Sequence, residues 1–127
     1  MIKYIAITEN VQVEVRPFFI EQKSNILEHQ FFFAYFVTIV NNSPSKIQLV
    51  KRYWYIHDDG SENYEVTGDG VVGEQPIIES GSYYTYNSFC ILKSFEGFME
   101  GGFQMKREDG SIFFVEIPRF YLKAFNN

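Results

Sequence analysis

The chain has 127 residues, of which 46% are hydrophobic and 19% aromatic, and its formal net charge is −5. This length predicts a single domain over residues 1–127, and the acidic balance argues against partners such as nucleic acid or an anionic membrane, which require clustered lysine and arginine. No apolar run approaches the ~20 residues of a membrane span. The N-terminus has no signal-peptide pattern and Cys90 is the only cysteine, so a cytoplasmic location is the expectation.

The first half of the chain predicts two strands. Val11, Val13 and Val15 alternate with polar residues, which is the period of a half-buried strand. If this strand continues past Pro17, the proline should lie at a bulge or a sheet edge. Phe31–Val40 is apolar on both of its alternating faces, which favours a central strand, and the polar segment that follows predicts a turn.

The next strand should cover Ile47–His57. Strict alternation would place Ile47 and Leu49 on the face of Lys51, opposite the face that carries Arg52, Trp54 and Ile56. Asp58-Asp59-Gly60 then predicts a tight hairpin into Asn63–Val66.

Four further segments alternate between turn signals, and no segment has a convincing helical period. These segments are Tyr83–Phe89, Gly102–Arg107, Ile112–Ile117 and Phe120–Leu122. About seven short strands with frequent turns favour an all-β fold, an antiparallel two-sheet sandwich of immunoglobulin or fibronectin type III-like kind, with an ordered core over 11–122. A barrel is the alternative.

A glycine-rich stretch between the strands carries the spacing G-x-G-x-x-G. It consists of Gly68, Asp69, Gly70, Val71, Val72, Gly73, Glu74, Gln75 and Pro76. In dinucleotide-binding folds this spacing needs a following helix, whose N-terminus holds the phosphates. No amphipathic helix follows here, and two acidic residues lie within the stretch. An ordered inter-strand loop is therefore one interpretation, and a phosphate site built from backbone amides without a helix is the other.

This stretch and its flanks resemble the ApaG family, also called DUF525. Val66–Pro76 is similar to the core signature of the family, and Arg52–Gly60 to its Arg-x-Trp strand and acidic turn. Downstream, Tyr86–Ser88, Gly97–Gly101 and the Ile117–Leu122 segment continue the match. The resemblance spans roughly 11–122, with departures at two turns, Ser80-Gly81 and Gly101-Gly102.

The resemblance implies the same sandwich fold and a binding role. Bacterial members are linked to cobalt tolerance and magnesium efflux without a settled molecular activity. In eukaryotes, similar domains lie at the ends of some F-box proteins and of a polymerase-delta-interacting protein, where they look like protein-interaction modules. These implications rest on analogy at the level of the family.

Other candidate chemistry is sparse. His57, Asp58 and Asp59 are adjacent, but consecutive strand residues point to opposite faces, so His57 and Asp58 do not easily share a metal ion. Cys90 has neither histidine near it in sequence, which favours a buried strand cysteine over a nucleophile. Trp54 is either a core anchor or, with Arg52, part of a binding patch on the strand beside the glycine-rich stretch.

The sequence thus predicts a non-enzymatic binding domain with no cofactor, no metal site and no catalytic residue. Its partner is expected to be another protein, engaged by the Gly68–Pro76 stretch and the neighbouring strand at Arg52 and Trp54. Glu74 and Gln75 would provide the polar contacts. The alternative is that the same stretch binds a phosphate-containing small molecule such as a nucleotide. The aromatic excess adds the hypothesis of a homodimer, through an exposed aromatic face or a sheet edge.

Overall fold

The computed structural model describes residues 2–125, and β-strands make up nearly all of its regular structure. Two single-turn 3-10 helices cover Glu21–Lys23 and Ile26–Glu28. The strands are β1 (Tyr4–Thr8), β2 (Val11–Phe19), β3 (Phe31–Asn41), β4 (Ile47–Asp58), β5 (Tyr64–Asp69), β6 (Ile77–Ile78), β7 (Tyr83–Leu92), β8 (Glu96–Arg107) and β9 (Ile112–Lys123). Within residues 2–125, no helix has the length and apolar composition needed to span a bilayer.

The strands form two antiparallel sheets that pack as a sandwich. The first sheet has the order β1-β2-β3-β7 and the second has the order β5-β4-β8-β9, with β6 on the same edge of β4 as β5. The strand after β4 thus stays on β4 and does not cross to β7, which is the fibronectin type III variant of the immunoglobulin-like sandwich. The predicted fold class is confirmed.

The core lies between the inner faces of the two sheets. Along β3, the alternate residues Phe31, Phe33, Tyr35, Val37 and Ile39 are at most 4% exposed, whereas the other residues up to Val40 lie on the outer face. Burying a side chain of this size contributes about 1.5–3 kcal/mol relative to leaving it in water. The alternation predicted for this central strand is therefore correct.

Two strands were not predicted, and both depend on partners that the local pattern does not reveal. β1 pairs with β2, but its Ile5 and Ile7 are 48% and 65% exposed. Its sequence therefore lacks the buried apolar face from which a strand can be predicted. β6 has two residues and exists because it pairs with the start of β4. β1 pairs β2 only as far as Val15, so Pro17 lies at an unpaired edge, as expected.

A β-bulge in β4 corrects the predicted arrangement of its faces. Leu49 pairs with Met105 and Lys51 with Gln104, so Val50 is an extra residue that shifts the alternation by one. As a result, Ile47 and Leu49 share the inner face with Trp54 and Ile56, and all four are at most 5% exposed. After the bulge, Arg52 is the first residue whose side chain faces the inside of the sandwich again. It pairs with the buried Phe103.

Candidate functional site

The Gly68–Pro76 loop, as we call residues 68–76, is fastened along the edge of β4. It continues from β5 and leads into β6, and both of these strands pair with β4. The Val50 carbonyl in the β4 bulge accepts hydrogen bonds from the Gly70 amide at 2.8 Å and from Gln75 Nε2 at 2.9 Å. The Leu49 amide donates to the Pro76 carbonyl at 3.0 Å. The loop is therefore an ordered extension of the sheet edge.

The tip of the loop is a two-residue hairpin turn. The Val71 amide donates to the Glu74 carbonyl at 2.8 Å, and the Glu74 amide donates to the Val71 carbonyl at 2.9 Å. Between them, Val72 has a φ of 48° and Gly73 a φ of 81°. Positive φ at both central positions is the mark of a type I′ turn, which usually holds Asn-Gly. A β-branched valine in this conformation is strained by about 1–3 kcal/mol.

Local packing accounts for the glycines of the G-x-G-x-x-G spacing. A Cβ on Gly68 would lie 2.8 Å from Nη1 of Arg52, whose guanidinium covers this glycine. A Cβ on Gly70 would collide with the Glu74 carbonyl, and Gly73 occupies the turn. A short strand, β6, follows the glycines where a dinucleotide site needs a helix.

Three amides of the Gly68–Pro76 loop that could hold an anion already have internal acceptors. The N–H groups of Gly70, Val71 and Glu74 donate to backbone carbonyls within the protein. Those of Val72, Gly73 and Gln75 have no backbone acceptor within residues 2–125. Any phosphate contact from the tip would therefore use the adjacent amides of Val72 and Gly73.

The side chains of the loop divide into anchors and exposed groups. Val71 is 1% exposed and belongs to the core, and the Gln75 side chain is engaged with Val50. Gln75 is nevertheless exposed, so the polar contact to a partner expected of it stays a prediction, with its amide nitrogen already used to fasten the loop. Val72 is 65% exposed, and Glu74 is exposed beside it.

Arg52 and Trp54 both lie on the inner face of β4, but their side chains make different contacts. Nη1 of Arg52 donates to the carbonyls of Asp69 and Gly70 at 3.0 and 3.1 Å, so this side chain ties β4 to the start of the loop. Trp54 is 5% exposed and packs edge-on against Tyr35 and Phe120, with ring centroids 5.4 and 5.9 Å apart. Of the two interpretations of Trp54, the structure supports the core anchor.

His57 and Asp58, at the end of β4, interact with different partners. His57 Nδ1 lies 2.7 Å from Oδ1 of Asn63, and Nε2 lies 3.4 Å from Oδ1 of Asp59. Asp58 is 3% exposed on the inner side, where its carboxylate accepts hydrogen bonds from the Lys93 amide and the Ser94 hydroxyl. Across residues 2–125, no group of three or more histidine, cysteine, aspartate or glutamate side chains could hold a metal ion.

Asp58 is a structural residue that the sequence did not identify. It was assigned to the Asp58-Asp59-Gly60 turn, yet it fastens the turn between β7 and β8. An acidic residue before Asp-Gly is typical of the turn in which it lies, so the local sequence predicts a role in that turn only. Its contact with a turn 35 residues further along the chain could not be predicted from this pattern.

Cys90 is buried on the inner face of β7, as predicted. Its Sγ lies 3.9 Å from the Tyr64 hydroxyl, and burial raises the pKa of its thiol to about 11. Burial likewise raises the pKa of the Tyr64 and Tyr35 hydroxyls. These groups are therefore uncharged at neutral pH, and the thiol has little of the thiolate character that a nucleophile needs.

The outer face of the first sheet carries an exposed aromatic surface. Phe36, Phe89 and Ile91 are 40–58% exposed, and Phe89 stacks on Phe32 with ring centroids 5.0 Å apart. The aromatic excess of the sequence is thus divided between the core and this face. Whether a second copy of the chain covers it stays a prediction.

Together, these features define a small fibronectin type III-like sandwich that carries a fastened glycine hairpin on one sheet edge. A family model described as the ApaG domain matches residues 21–107. Protein ApaG of Brucella suis is 47% identical over 119 residues, which cover 94% of this chain and 92% of that protein. Protein ApaG of Afipia carboxidovorans is 45% identical over 95% of this chain and 93% of its own length.

A solved structure agrees with these sequence matches. It belongs to a Bordetella pertussis protein that carries the name ApaA, and it superimposes with a TM-score of 0.88 at 34% identity, covering 92% of this chain and 95% of that one. The chain belongs to the ApaG family, as its sequence resemblance implied.

Proposed function

We propose that this protein is a non-enzymatic, cytoplasmic binding domain that engages another protein through the tip of the Gly68–Pro76 loop. The observation that carries the proposal is Val72, which is 65% exposed and held at a φ of 48°. An exposed valine in a strained turn adds nothing to the core, and strained backbone is concentrated at binding sites. The strain persists because hydrogen bonds to the β4 bulge fasten both sides of the turn.

The chemistry of the tip indicates the kind of partner surface. Val72 presents an apolar side chain, while Asp69 and Glu74 add negative charge nearby. A complementary surface would have a small apolar pocket flanked by lysine or arginine. Because the loop is ordered before binding, little conformational entropy is lost when it docks.

A link to cobalt tolerance and magnesium efflux would, in this proposal, arise through the protein partner. Direct cation binding is not part of it, because the acidic residues near His57 are divided between the exposed Asp59 and the buried, hydrogen-bonded Asp58.

A photo-crosslinking amino acid at position 72 tests the proposal. Position 27 is the matched control, because Leu27 is 95% exposed and belongs to the 3-10 turn before β3. In cells, position 72 should give a discrete crosslinked protein that position 27 does not give, and Glu74→Arg should weaken that crosslink. Identical crosslinks from both positions, or none from position 72, would refute the proposal.

The second candidate is the binding of a phosphate-containing molecule, favoured by the adjacent amides of Val72 and Gly73, which have no backbone acceptor within residues 2–125. Amide NMR shifts recorded during addition of ATP test it. Saturable shifts confined to these two amides would support it, and an affinity left unchanged by Gly70→Val would remove it.

A further inference from the structure

The two sheets separate on one side of the sandwich, where β5 and β7 are the edge strands. On the other side β9 packs against β1 and β2. Between β5 and β7 lies a cavity of about 350 Å³, which we call the β5–β7 cleft. It is lined by Tyr35, Arg52, Trp54, Val66, Ser88 and Met99, among others. Its size is at the small end of ligand pockets.

Arg52 brings a positive charge into the β5–β7 cleft. The bulge at Val50 places its side chain on the inner face, half-buried, where Nη1 donates to two backbone carbonyls. Arg52 takes part in none of the ion pairs found within residues 2–125. A partly desolvated guanidinium without a carboxylate is a favourable site for an anion, because the charge-assisted hydrogen bonds it can make are among the strongest in proteins.

Neutral hydroxyl groups lie within electrostatic range of this charge. Tyr35 and Ser88 both line the cleft, and burial raises the pKa of the Tyr35 phenol. The hydroxyl of Tyr86 is buried and has no hydrogen-bond partner within residues 2–125, and Arg52 acts electrostatically on this hydroxyl. A cation without a carboxylate, with uncharged hydroxyl groups nearby, suits an anionic group that accepts hydrogen bonds.

Apolar side chains form much of the rest of the β5–β7 cleft, and a buried carboxylate acts on its far end. The indole of Trp54, Met99 and Val66 form walls against which a flat apolar body can pack. Beyond the Tyr64 and Cys90 end, the buried carboxylate of Asp58 acts electrostatically on both groups. A second negative charge at that end would be repelled.

We infer that the β5–β7 cleft binds a small aromatic monocarboxylate, with its carboxylate on Arg52 and its ring against Trp54. This site lies between the sheets and does not depend on the tip of the Gly68–Pro76 loop. It can therefore fail or hold independently of the proposed protein partner.

Phenylpropionate is a suitable probe, and its amide, phenylpropionamide, is the neutral counterpart of matched shape. Trp54 is the only tryptophan of the chain and lines the β5–β7 cleft, so its selectively excited fluorescence reports occupancy. We expect a saturable change with the acid and at least about tenfold weaker binding of the amide. Equal affinities, or no saturable change with the acid, would overturn the inference.

Two variants locate the binding. Val66→Phe fills the β5–β7 cleft from β5 and leaves Arg52 in place, whereas Thr67→Phe puts the same side chain on the opposite face of that strand. We expect Val66→Phe to abolish binding and Thr67→Phe to retain it. Unchanged binding in a folded Val66→Phe protein would contradict the assignment. Arg52→Gln should remove the preference for acid over amide, and an intact preference in that variant would also overturn it.

Discussion

Gly70 and Glu74 approach each other so closely across the hairpin of the Gly68–Pro76 loop that a Cβ on Gly70 would collide with the Glu74 carbonyl oxygen. Gly70 also has a φ of 61°, so it needs glycine for two reasons, conformation and space. Gly73 has a φ of 81° but no atom within 4 Å of an added Cβ.

This difference predicts unequal effects of the same substitution. Gly73→Ala should lower the free energy of unfolding by about 1 kcal/mol, because alanine in the left-handed region is strained. Gly70→Ala should lower it by about 2 kcal/mol or more, because the Glu74 carbonyl must also move. Urea denaturation of both variants measures the difference. Equal losses would show that the hairpin relaxes freely around position 70.

Val72→Asn should separate stability from binding. Asparagine tolerates positive φ and suits a type I′ turn, so we expect this variant to be more stable than the parent by about 1 kcal/mol. It should at the same time weaken the interaction assigned to the exposed Val72. Thermal denaturation gives the first result, and recovery of the crosslinked partner by a photoreactive group at position 74 gives the second.

The control for this substitution is Val66→Asn. Val66 is a strand residue on β5, where asparagine is disfavoured, so the same change should reduce stability there. Destabilisation at both positions would mean that Val72 is not strained in solution.

The sequence predicted those strands whose pattern is set by burial alone. β3 lies in the centre of its sheet with one fully buried face, so the alternation of its aromatic and β-branched residues sufficed. β4 was correctly predicted as a strand, but the assignment of its residues to the two faces was wrong. The bulge at Val50 shifts the alternation, and no glycine or proline in this part of the sequence indicates a bulge. That shift determines that Arg52 faces the inside of the sandwich.

The glycine-rich stretch shows a different limit. Its composition was enough to predict an ordered loop and to argue against a dinucleotide fold, because the following helix was missing. The conformation of Val72 could not be predicted, because it follows from the paired hydrogen bonds between Val71 and Glu74 and from the attachment of Gln75 to the β4 bulge. The hydrogen-bond partners in these contacts cannot be identified from the local sequence pattern.

Asp58 and Asp59 are neighbours that should differ sharply in their contribution to stability. Asp58→Ala removes a buried carboxylate that accepts two part-buried hydrogen bonds, from the Lys93 amide and the Ser94 hydroxyl, so it should lower the free energy of unfolding by about 2 kcal/mol. Asp59 has a side chain that is 66% exposed, and Asp59→Ala should change stability by less than about 0.5 kcal/mol. Urea denaturation at neutral pH distinguishes the two. A similar effect of both variants would contradict the structural role of Asp58.

The buried thiol of Cys90 predicts a loss of stability at alkaline pH. Burial raises its pKa from 9.0 to about 11 in the folded protein. Below pH 9 the thiol is protonated in both states, so its full contribution is present. Between pH 9 and 11 the unfolded chain releases the proton while the folded protein retains it, and stability falls as pH rises. A shift of this size corresponds to a loss of roughly 3 kcal/mol.

Cys90→Ala should remove this part of the pH dependence. The raised pKa values of Tyr35, Tyr64 and Tyr86 add their own loss at high pH, and Tyr64 contacts the thiol directly. The comparison is therefore made in a Tyr64→Phe background, with urea denaturation of the protein with and without Cys90 across this pH range. The stability advantage of the cysteine form should shrink as pH passes from 9 to 11. Parallel curves would mean that the folded protein does not hold the Cys90 proton more tightly than the unfolded chain does.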